Sequence, residues 1–274
     1  MAEASPSSEE GVVARNIRQG EAVSLLAIPD VPHVTPGDDL ASIVITAVEQ
    51  SAIVVSDGDI FVIAQKVVSK AEGRYVDLRI VTPSSRAIEL AKIVHKDPRL
   101  VEVILTESSE VVRFAPGVLI VAHRSGCVMA NAGVDASNLK PDGDGGDLVL
   151  LLPLNAGASC IKLRKRLENH FNCRIGVIVN DSVGRPWRNG SVGLALGVSG
   201  PPAVWDRIGQ DDLYGRTLQV TQIGFADQIA AAAALVMGEG AEGIPVVKVG
   251  NLFWESSETN GRELLRDKKQ DLFR

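Results

Sequence analysis

Apolar residues recur three or four positions apart in several stretches of the chain, which is the spacing of a helix with one buried face. In front of these stretches stands an Asp, Ser or Asn, whose side chain can accept a hydrogen bond from the start of a helix. The pattern predicts helices over residues 40–48, 88–94, 100–105, 161–167 and 228–236, preceded by Asp39, Ser84, Asp97, Asn155 and Asp227.

Shorter runs rich in Val and Ile predict strands over residues 60–63, 118–122, 127–130, 175–179, 194–198, 218–223 and 245–249. Because helices and strands do not alternate regularly, we expect an α+β fold with mixed sheets and packed helices, not a Rossmann or P-loop fold. We find no internal repeat and no linker. We expect the main domain over residues 16–256, as one unit or as two closely packed subdomains. A disordered tail is expected at 1–15 and a C-terminal extension at 257–274.

Charge and cysteine content narrow the class of protein. The net charge of −6 argues against binding nucleic acid, which requires basic surface. The three cysteines lack CxxC spacing, which suits a reducing compartment. The longest apolar run, residues 229–237, is about half as long as a membrane span, and the first residues have no apolar signal core. We therefore expect a cytoplasmic protein without membrane contact.

Two stretches of polar residues suggest a metal site. Residues 131–138 surround Asp135 with small residues and amides, which suits a hard cation such as Mg²⁺ or Mn²⁺. An ordinary Asx turn explains this octamer equally well. The apolar run at 176–179 ends in Asp181 and Ser182, and the loop that follows offers Arg185 and Arg188 to anions. A strand followed by a solvated basic loop is the simpler alternative.

Two further stretches could hold phosphates. Residues 64–74 follow a predicted strand and carry Lys66, Lys70 and Gly73, without the spacing of a Walker A loop. A lysine-rich loop is usually just solvated, and Lys70 could instead pair with Glu72. Residues 237–244 are Gly-rich and acidic, although Gly238 could simply end the preceding helix.

Taken together, these segments resemble the coenzyme F420-0:L-glutamate ligase family, also called gamma-glutamyl ligases, in the single-domain form without a fused reductase domain. (F420 is a deazaflavin coenzyme.) The resemblance extends from about residue 23 to about residue 249. The matching elements are residues 69–73, 131–138, 181–188, 212–216 and 237–240, in this order and spacing. The family usually has Asp-Thr where this chain has Asp181-Ser182, and serine keeps the hydroxyl oxygen.

The resemblance implies an amide-forming ligase. GTP would phosphorylate the lactyl carboxylate of the deazaflavin coenzyme precursor, and the amine of L-glutamate would displace phosphate from the acyl phosphate. Further gamma-linked glutamates could follow. The family's usual state is a homodimer. From the residues alone, a metal-dependent nucleotide phosphotransferase or phosphatase remains open, as does a non-catalytic nucleotide-binding scaffold.

The resemblance also implies roles for individual residues. The metal positions, for two divalent ions and a possible K⁺ nearby, are Asp135, Asp181, Ser182 and Glu239. The nucleotide positions are Pro29, Asp30, Val31, Pro32, Gln65, Lys70, Asn138, Met237, Gly238, Glu239, Gly240, Ala241, Glu242, Gly243 and Ile244. To the catalytic group we assign Lys70 and, on the residues alone, the anion-holding Arg185 and Arg188.

Overall fold

A computed structural model describes residues 22–139 and 147–273. The expected tail at 1–15 lies outside the described residues. The helices are α1 (Leu40–Gln50), α2 (Gln65–Ala71), α3 (Ser85–Val94), α4 (Pro98–Thr106), α5 (Ala156–Phe171) and α6 (Phe225–Met237). The strands are β1 (Ser24–Ala27), β2 (Ile60–Ala64), β3 (Tyr75–Asp77), β4 (Ser108–Ala115), β5 (Val118–His123), β6 (Val128–Ala130), β7 (Leu148–Leu150), β8 (Gly176–Arg185), β9 (Arg188–Ser199), β10 (Trp205–Asp206), β11 (Gln222–Ile223) and β12 (Val246–Gly250).

A mixed sheet forms the centre of the molecule. Within the described residues it has five strands in the order β1-β12-β2-β8-β9. The β2–β8 pair is parallel, whereas the other neighbours are antiparallel. Helices α1 and α5 cover one face and α6 covers the other. Strand β2 and the first half of β8 are therefore buried on both sides, which explains the uninterrupted apolar runs at 60–63 and 176–179.

A second group of elements stands beside this sheet. Helices α3 and α4 pack on the antiparallel sheet β4-β5-β6 around a separate apolar cluster. Strands β3 and β7 pair with each other between the two groups. The chain thus has the α+β architecture expected from the sequence.

Most helix starts were predicted correctly, because local hydrogen bonds determine them. The side chains of Asp39, Ser84, Asp97 and Asn155 each accept a bond from a backbone N–H of the first turn. Asp227 was assigned wrongly. It lies inside the first turn of α6, and its carboxylate accepts a bond from the backbone N–H of Ala195 at 2.9 Å.

Other predictions failed where exposure weakens the apolar pattern. The strand expected at 218–223 is reduced to Gln222–Ile223, which pairs with Trp205–Asp206 at the base of an exposed arm. Strand β4 was missed because most of its residues are partly or fully exposed. Residues 65–71, expected as a loop, form helix α2, which follows β2 directly.

The C-terminal residues 257–273 lie against the body of the molecule. The backbone N–H of Ser257 donates to Gly200 O at 2.8 Å, and Thr259 Oγ1 accepts a bond from Ala203 N at 3.1 Å. Further along, Lys268 forms an ion pair with Glu110 at 2.6 Å. Among the helices in the described ranges, none is long and apolar enough to cross a membrane.

Candidate active site

The candidate residues meet at one end of the central sheet. Strand β1 ends there, and β2 ends there beside the parallel β8, with Ala64 paired to Asn180. The antiparallel β12 begins at the same end, where Pro245 O accepts a bond from Ala64 N at 2.8 Å. Segments 29–32, 65–71, 180–182 and 237–245 are therefore neighbours in space although they are far apart in the sequence.

An ion pair with helix α2 joins Asp135 to this site. Its Oδ2 lies 2.7 Å from Lys66 Nζ, and Ser137 donates to the same carboxylate through its backbone N–H and its hydroxyl. The backbone of Asp135 pairs with Leu150. Just before it, Gly133 adopts a φ of +69°, and a Cβ there would lie 2.6 Å from Leu152. The small residues of the octamer thus serve a tight backbone path, as the turn hypothesis required, while also presenting the carboxylate.

Asp181 and Ser182 face the same region from β8. The strand does not end at these residues, as the sequence suggested, but continues to Arg185 in a hairpin with β9. The hydroxyl of Ser182 donates to Glu239 Oε2 at 2.6 Å. A residue of β8 and a residue of the loop after α6 are therefore directly linked.

The two aspartates have opposite pKa shifts. Asp181 retains some accessible surface, but protein surrounds its carboxylate on most sides, and this burial raises its pKa to about 6. Within that value, the backbone hydrogen bond from Ser182 and the charge of Lys66 lower the pKa, while the charges of Asp135 and Glu239 raise it. Burial also acts to raise the pKa of Asp135. The hydrogen bond and charge of Lys66, together with the hydrogen bonds from Ser137, outweigh burial and lower this pKa from its ordinary value of 3.8.

The donor chemistry of this site fits a hard divalent cation. Asp135, Asp181, Glu239 and the Ser182 hydroxyl supply oxygen ligands, and burial, more than the neighbouring acids, raises the pKa of Asp181. Across residues 22–139 and 147–273, no three His, Cys, Asp or Glu side chains are close enough to hold a metal as they stand. Asp135 is held by Lys66, so side-chain movement must precede ligation.

Lys70 lies on helix α2, not on a loop. Its Nζ donates to the backbone O of Asn138 at 2.8 Å. The pKa of Lys70 is lowered mainly by burial and also by repulsion from Lys66. Glu72 is not its partner, because Glu72 accepts bonds from Leu154 N and Ser159 Oγ. Asn138 in turn donates through Nδ2 to Gly240 O at 3.3 Å. Lys70, Asn138 and the loop after α6 are thus joined.

The remaining nucleotide positions differ in how they face the site. Residues 237–244 follow α6, where Gly238 has a φ of +70° and Gly240 N donates to Glu242 at 2.7 Å. Residues 29–32 follow β1 beside the start of β12, and Asp30 has a φ of 55°. Gln65 is buried, and its Oε1 accepts a bond from Ser69 at 3.0 Å, so its side chain serves the core of α2.

The two arginines are not brought to the carboxylates. Arg185 and Arg188 pair at the end of the β8–β9 hairpin, and Arg185 Nη1 donates to Gly190 O at 3.0 Å. Arg185 is four residues from Asp181 on an extended strand, roughly 13 Å at about 3.3 Å per residue. Trp187 between them is 86% exposed, with its ring 6.1 Å from that of Phe273. Their assignment as anion holders gains no support within this chain.

Two residues of this site have contacts that the sequence did not predict: Lys66 was considered only as a possible phosphate contact, and Asn180 was given no role. Lys66 contacts Asp135 and Ser137, and its helical spacing from Lys70 could have revealed it if α2 had been predicted. Asn180 is buried beside Asp181, and its Nδ2 lies 3.5 Å from the sulfur of Met237. It thereby links β8 to the start of the loop after α6.

Comparison with known proteins identifies the family of this chain. Residues 29–251 match the model of a family described as F420-0:Gamma-glutamyl ligase. The chain is 42% identical over 254 residues to a coenzyme F420:L-glutamate ligase of Methanothermobacter thermautotrophicus, covering 92% of this chain and 99% of the relative. It is 46% identical over 220 residues to the protein of that name from Methanocaldococcus jannaschii, covering 80% and 86%. For the one from Archaeoglobus fulgidus the values are 41% over 252 residues, 92% and 96%. The chain therefore belongs to the F420-0:gamma-glutamyl ligase family.

Proposed function

We propose that this protein is a GTP-dependent ligase that joins L-glutamate to the lactyl carboxylate of coenzyme F420-0 and then adds further gamma-linked glutamates. The supporting observation is the meeting of Asp135, Asp181, Ser182 and Glu239, from three separate segments, beside Lys70 and the loop after α6. These residues hold two divalent ions, Mg²⁺ or Mn²⁺, in the proposal, with a monovalent ion such as K⁺ nearby.

The chemistry explains why such a site is needed. A carboxylate does not react with an amine until one of its oxygens becomes part of a leaving group. Transfer of the terminal phosphoryl group of GTP to that oxygen releases GDP and gives the acyl phosphate. The amine of glutamate then forms the amide, and phosphate departs. Divalent ions supply charge neutralisation on the phosphate oxygens. The task of this chain is positioning: Asp135, Asp181 and Glu239 would hold the ions, and the ammonium of Lys70 would face the phosphates.

The nucleotide is assigned to the space between residues 29–32 and 237–244. Both segments lie at the sheet end that carries the carboxylates, and each contains a residue with a positive φ, Asp30 and Gly238. The preference for GTP over ATP follows from the family and not from a contact in this structure. A site that pairs with the guanine edge leaves buried groups unpaired with adenine, which gives large discrimination.

A homodimer is part of the proposal. The arm between β10 and β11 extends from the body, and at its tip Leu213 and Tyr214 are 97% and 95% exposed. A second copy of the chain would cover them.

Mass spectrometry of the coenzyme tests the reaction directly. Incubation of F420-0 with the protein, GTP, Mn²⁺ and L-glutamate should yield the coenzyme with one or more added glutamates. One GDP should be released for each glutamate added. Release of GDP without a heavier coenzyme would favour the phosphatase hypothesis. GTP binding without GDP release would favour the scaffold hypothesis.

A further inference from the structure

Lys66 is the positive group in direct contact with the proposed metal ligands. Its Nζ lies 2.7 Å from Asp135 Oδ2 and 2.6 Å from Ser137 Oγ, and Ser137 itself donates to the same carboxylate. The contacts join helix α2 to a segment about 70 positions further along the chain. Such a pair depends on how the two segments pack and is not the incidental contact of a loose surface lysine.

The charges around Lys66 explain why it is held there. The negative charges of Asp135 and Glu239 both act against ionisation of Asp181. Lys66 offsets this repulsion, since its charge favours ionisation of both aspartates. Lys70, one turn away, donates a hydrogen bond to a backbone oxygen, that of Asn138, and not to a carboxylate. The two lysines therefore differ in their contacts although they share a helix face.

We propose that Lys66 is a built-in counter-cation that holds Asp135 until a divalent ion displaces it, and thereby sets the affinity of the site for metal. The inference rests on the proposed function, because it takes Asp135 to be a metal ligand. Asp135 Oδ2 cannot stay bonded to an ammonium while it ligates a divalent ion, since the two cations repel each other strongly at such distances. The flexible stem of lysine lets the ammonium swing away without movement of helix α2.

The displaced ammonium has a destination in the same site. It remains within a side chain's reach of Asp135, where a bound nucleotide or an acyl phosphate would bring anionic oxygens. Lys66 then changes partner from carboxylate to phosphate as the reactants assemble. The positive charge is present at the site in both stages, so the carboxylates are never left uncompensated.

Titration of Mn²⁺ into the full-length protein tests the displacement without any measurement of activity. Lys66→Met removes the competing charge and keeps the length of the side chain, so Mn²⁺ should bind about tenfold more tightly than to the parent protein. Lys66→Arg keeps the charge and should stay close to the parent. On an Asp135→Asn background, Lys66→Met should give a much smaller gain, because the bond in question is already absent.

Two control lysines separate direct competition from general electrostatics. Lys162→Met removes an exposed charge on α5, away from this site, and should leave Mn²⁺ affinity unchanged. Lys70→Met removes a charge near the site whose ammonium bonds the backbone oxygen of Asn138 and, among the residues the structure describes, no carboxylate, so its gain should be clearly smaller than that of Lys66→Met. Circular dichroism of each variant before titration confirms that folded protein is compared.

The outcomes distinguish this inference from the proposed function. If the parent protein binds Mn²⁺ and Lys66→Met binds it equally well or more weakly, the counter-cation role is wrong while the metal site stands. Equal gains in Lys66→Met and Lys70→Met would also overturn direct competition. If the parent protein binds no Mn²⁺ with or without GTP, the metal assignment fails and this inference fails with it. If Lys66→Met does not fold, Lys66→Gln also removes the positive charge, and its Mn²⁺ affinity is compared with that of the parent in the same way.

Discussion

Asp181 shows, at the scale of single residues, how a site for a cation can cost the protein stability. Burial and neighbouring acids raise the pKa of this carboxyl from 3.8 to about 6. The folded state therefore holds the proton more tightly than the unfolded chain does. The free energy of unfolding falls as the pH rises from about 4 to about 6, and the cost persists at pH 7.

Asp181→Asn should consequently stabilise the metal-free protein. With EDTA present, we expect the free energy of unfolding to rise by about 1–3 kcal/mol at pH 7–8, after allowance for the remaining exposure of the side chain. The gain should vanish at about pH 3, where the parent's carboxyl is protonated in both states. Urea unfolding at several pH values measures it, with Glu89→Gln on the exposed face of α3 as a control. A gain that is independent of pH would contradict the explanation.

Ser182 offers a test of whether its hydroxyl is used. Ser182→Thr keeps the oxygen that now bonds Glu239, and threonine suits an exposed strand position. We expect turnover within about threefold of the parent for threonine. For Ser182→Ala we expect a loss of about a hundredfold, as when one preorganised electrostatic group is removed. Steady-state ligation rates at saturating Mn²⁺ decide it, and equal rates in both variants would remove Ser182 from the metal site.

At the scale of elements, close packing between α5, β9 and the C-terminal segment depends on glycines. A Cβ on Gly197 would lie 2.6 Å from Gly157 N, and a Cβ on Gly261 would lie 3.2 Å from the Cα of Gly197. No side chain fits between these backbones. Helix α5 begins at this contact, so the glycines help to fix its distance from the sheet.

Gly197→Ala should therefore force α5 away from β9 and lower the free energy of unfolding by about 1–3 kcal/mol, the usual cost of overpacking. Gly184→Ala is the matched control in the same hairpin, because a Cβ there would meet nothing within 4 Å. Denaturant unfolding compares the two variants. Equal stability of Gly197→Ala and Gly184→Ala would show that α5 can shift at little cost.

The same scale explains which elements were predictable. Strand β2 and the first half of β8 are buried on both faces, so their apolar runs stand out, and the capped helices α1, α3, α4 and α5 carry their start signals locally. Helix α2 escaped notice because it is short and has no side-chain cap. Because this helix was not predicted, the contact of Lys66 with Asp135 was not foreseen, and Lys70 was assigned to a loop although it lies on the helix.

At the scale of the whole molecule, residues 257–273 hold distant parts of the chain together. The segment bonds the end of β9 through Ser257 and reaches β4 through the ion pair of Lys268 with Glu110. Its Leu265 approaches Gly126, so closely that a Cβ on Gly126 would lie 2.7 Å away. The sheet with its helices and the β4-β5-β6 group are thus both contacted by one segment.

Removal of residues 257–274 should lower the melting temperature by about 5–10 °C, because buried backbone groups near Gly200 and Ala203 lose their partners. Removal of residues 267–274 alone costs mainly an exposed ion pair and should change it by less than about 2 °C. Scanning calorimetry of both truncated chains measures the difference. Similar melting temperatures for the two would mean that residues 257–266 add little to the fold.

The sequence by itself determined the mixed α+β class, the capped helices, the buried strands and, through family resemblance, the acids and the loop of the candidate site. These features depend on neighbours in the chain or on motifs of a few residues. Only the tertiary structure decided that Lys66 holds Asp135, that the Gln65 side chain is buried, and that Arg185 lies at a hairpin end. Each of these depends on packing between segments far apart in the chain, where no local preference specifies which side chain turns toward which partner.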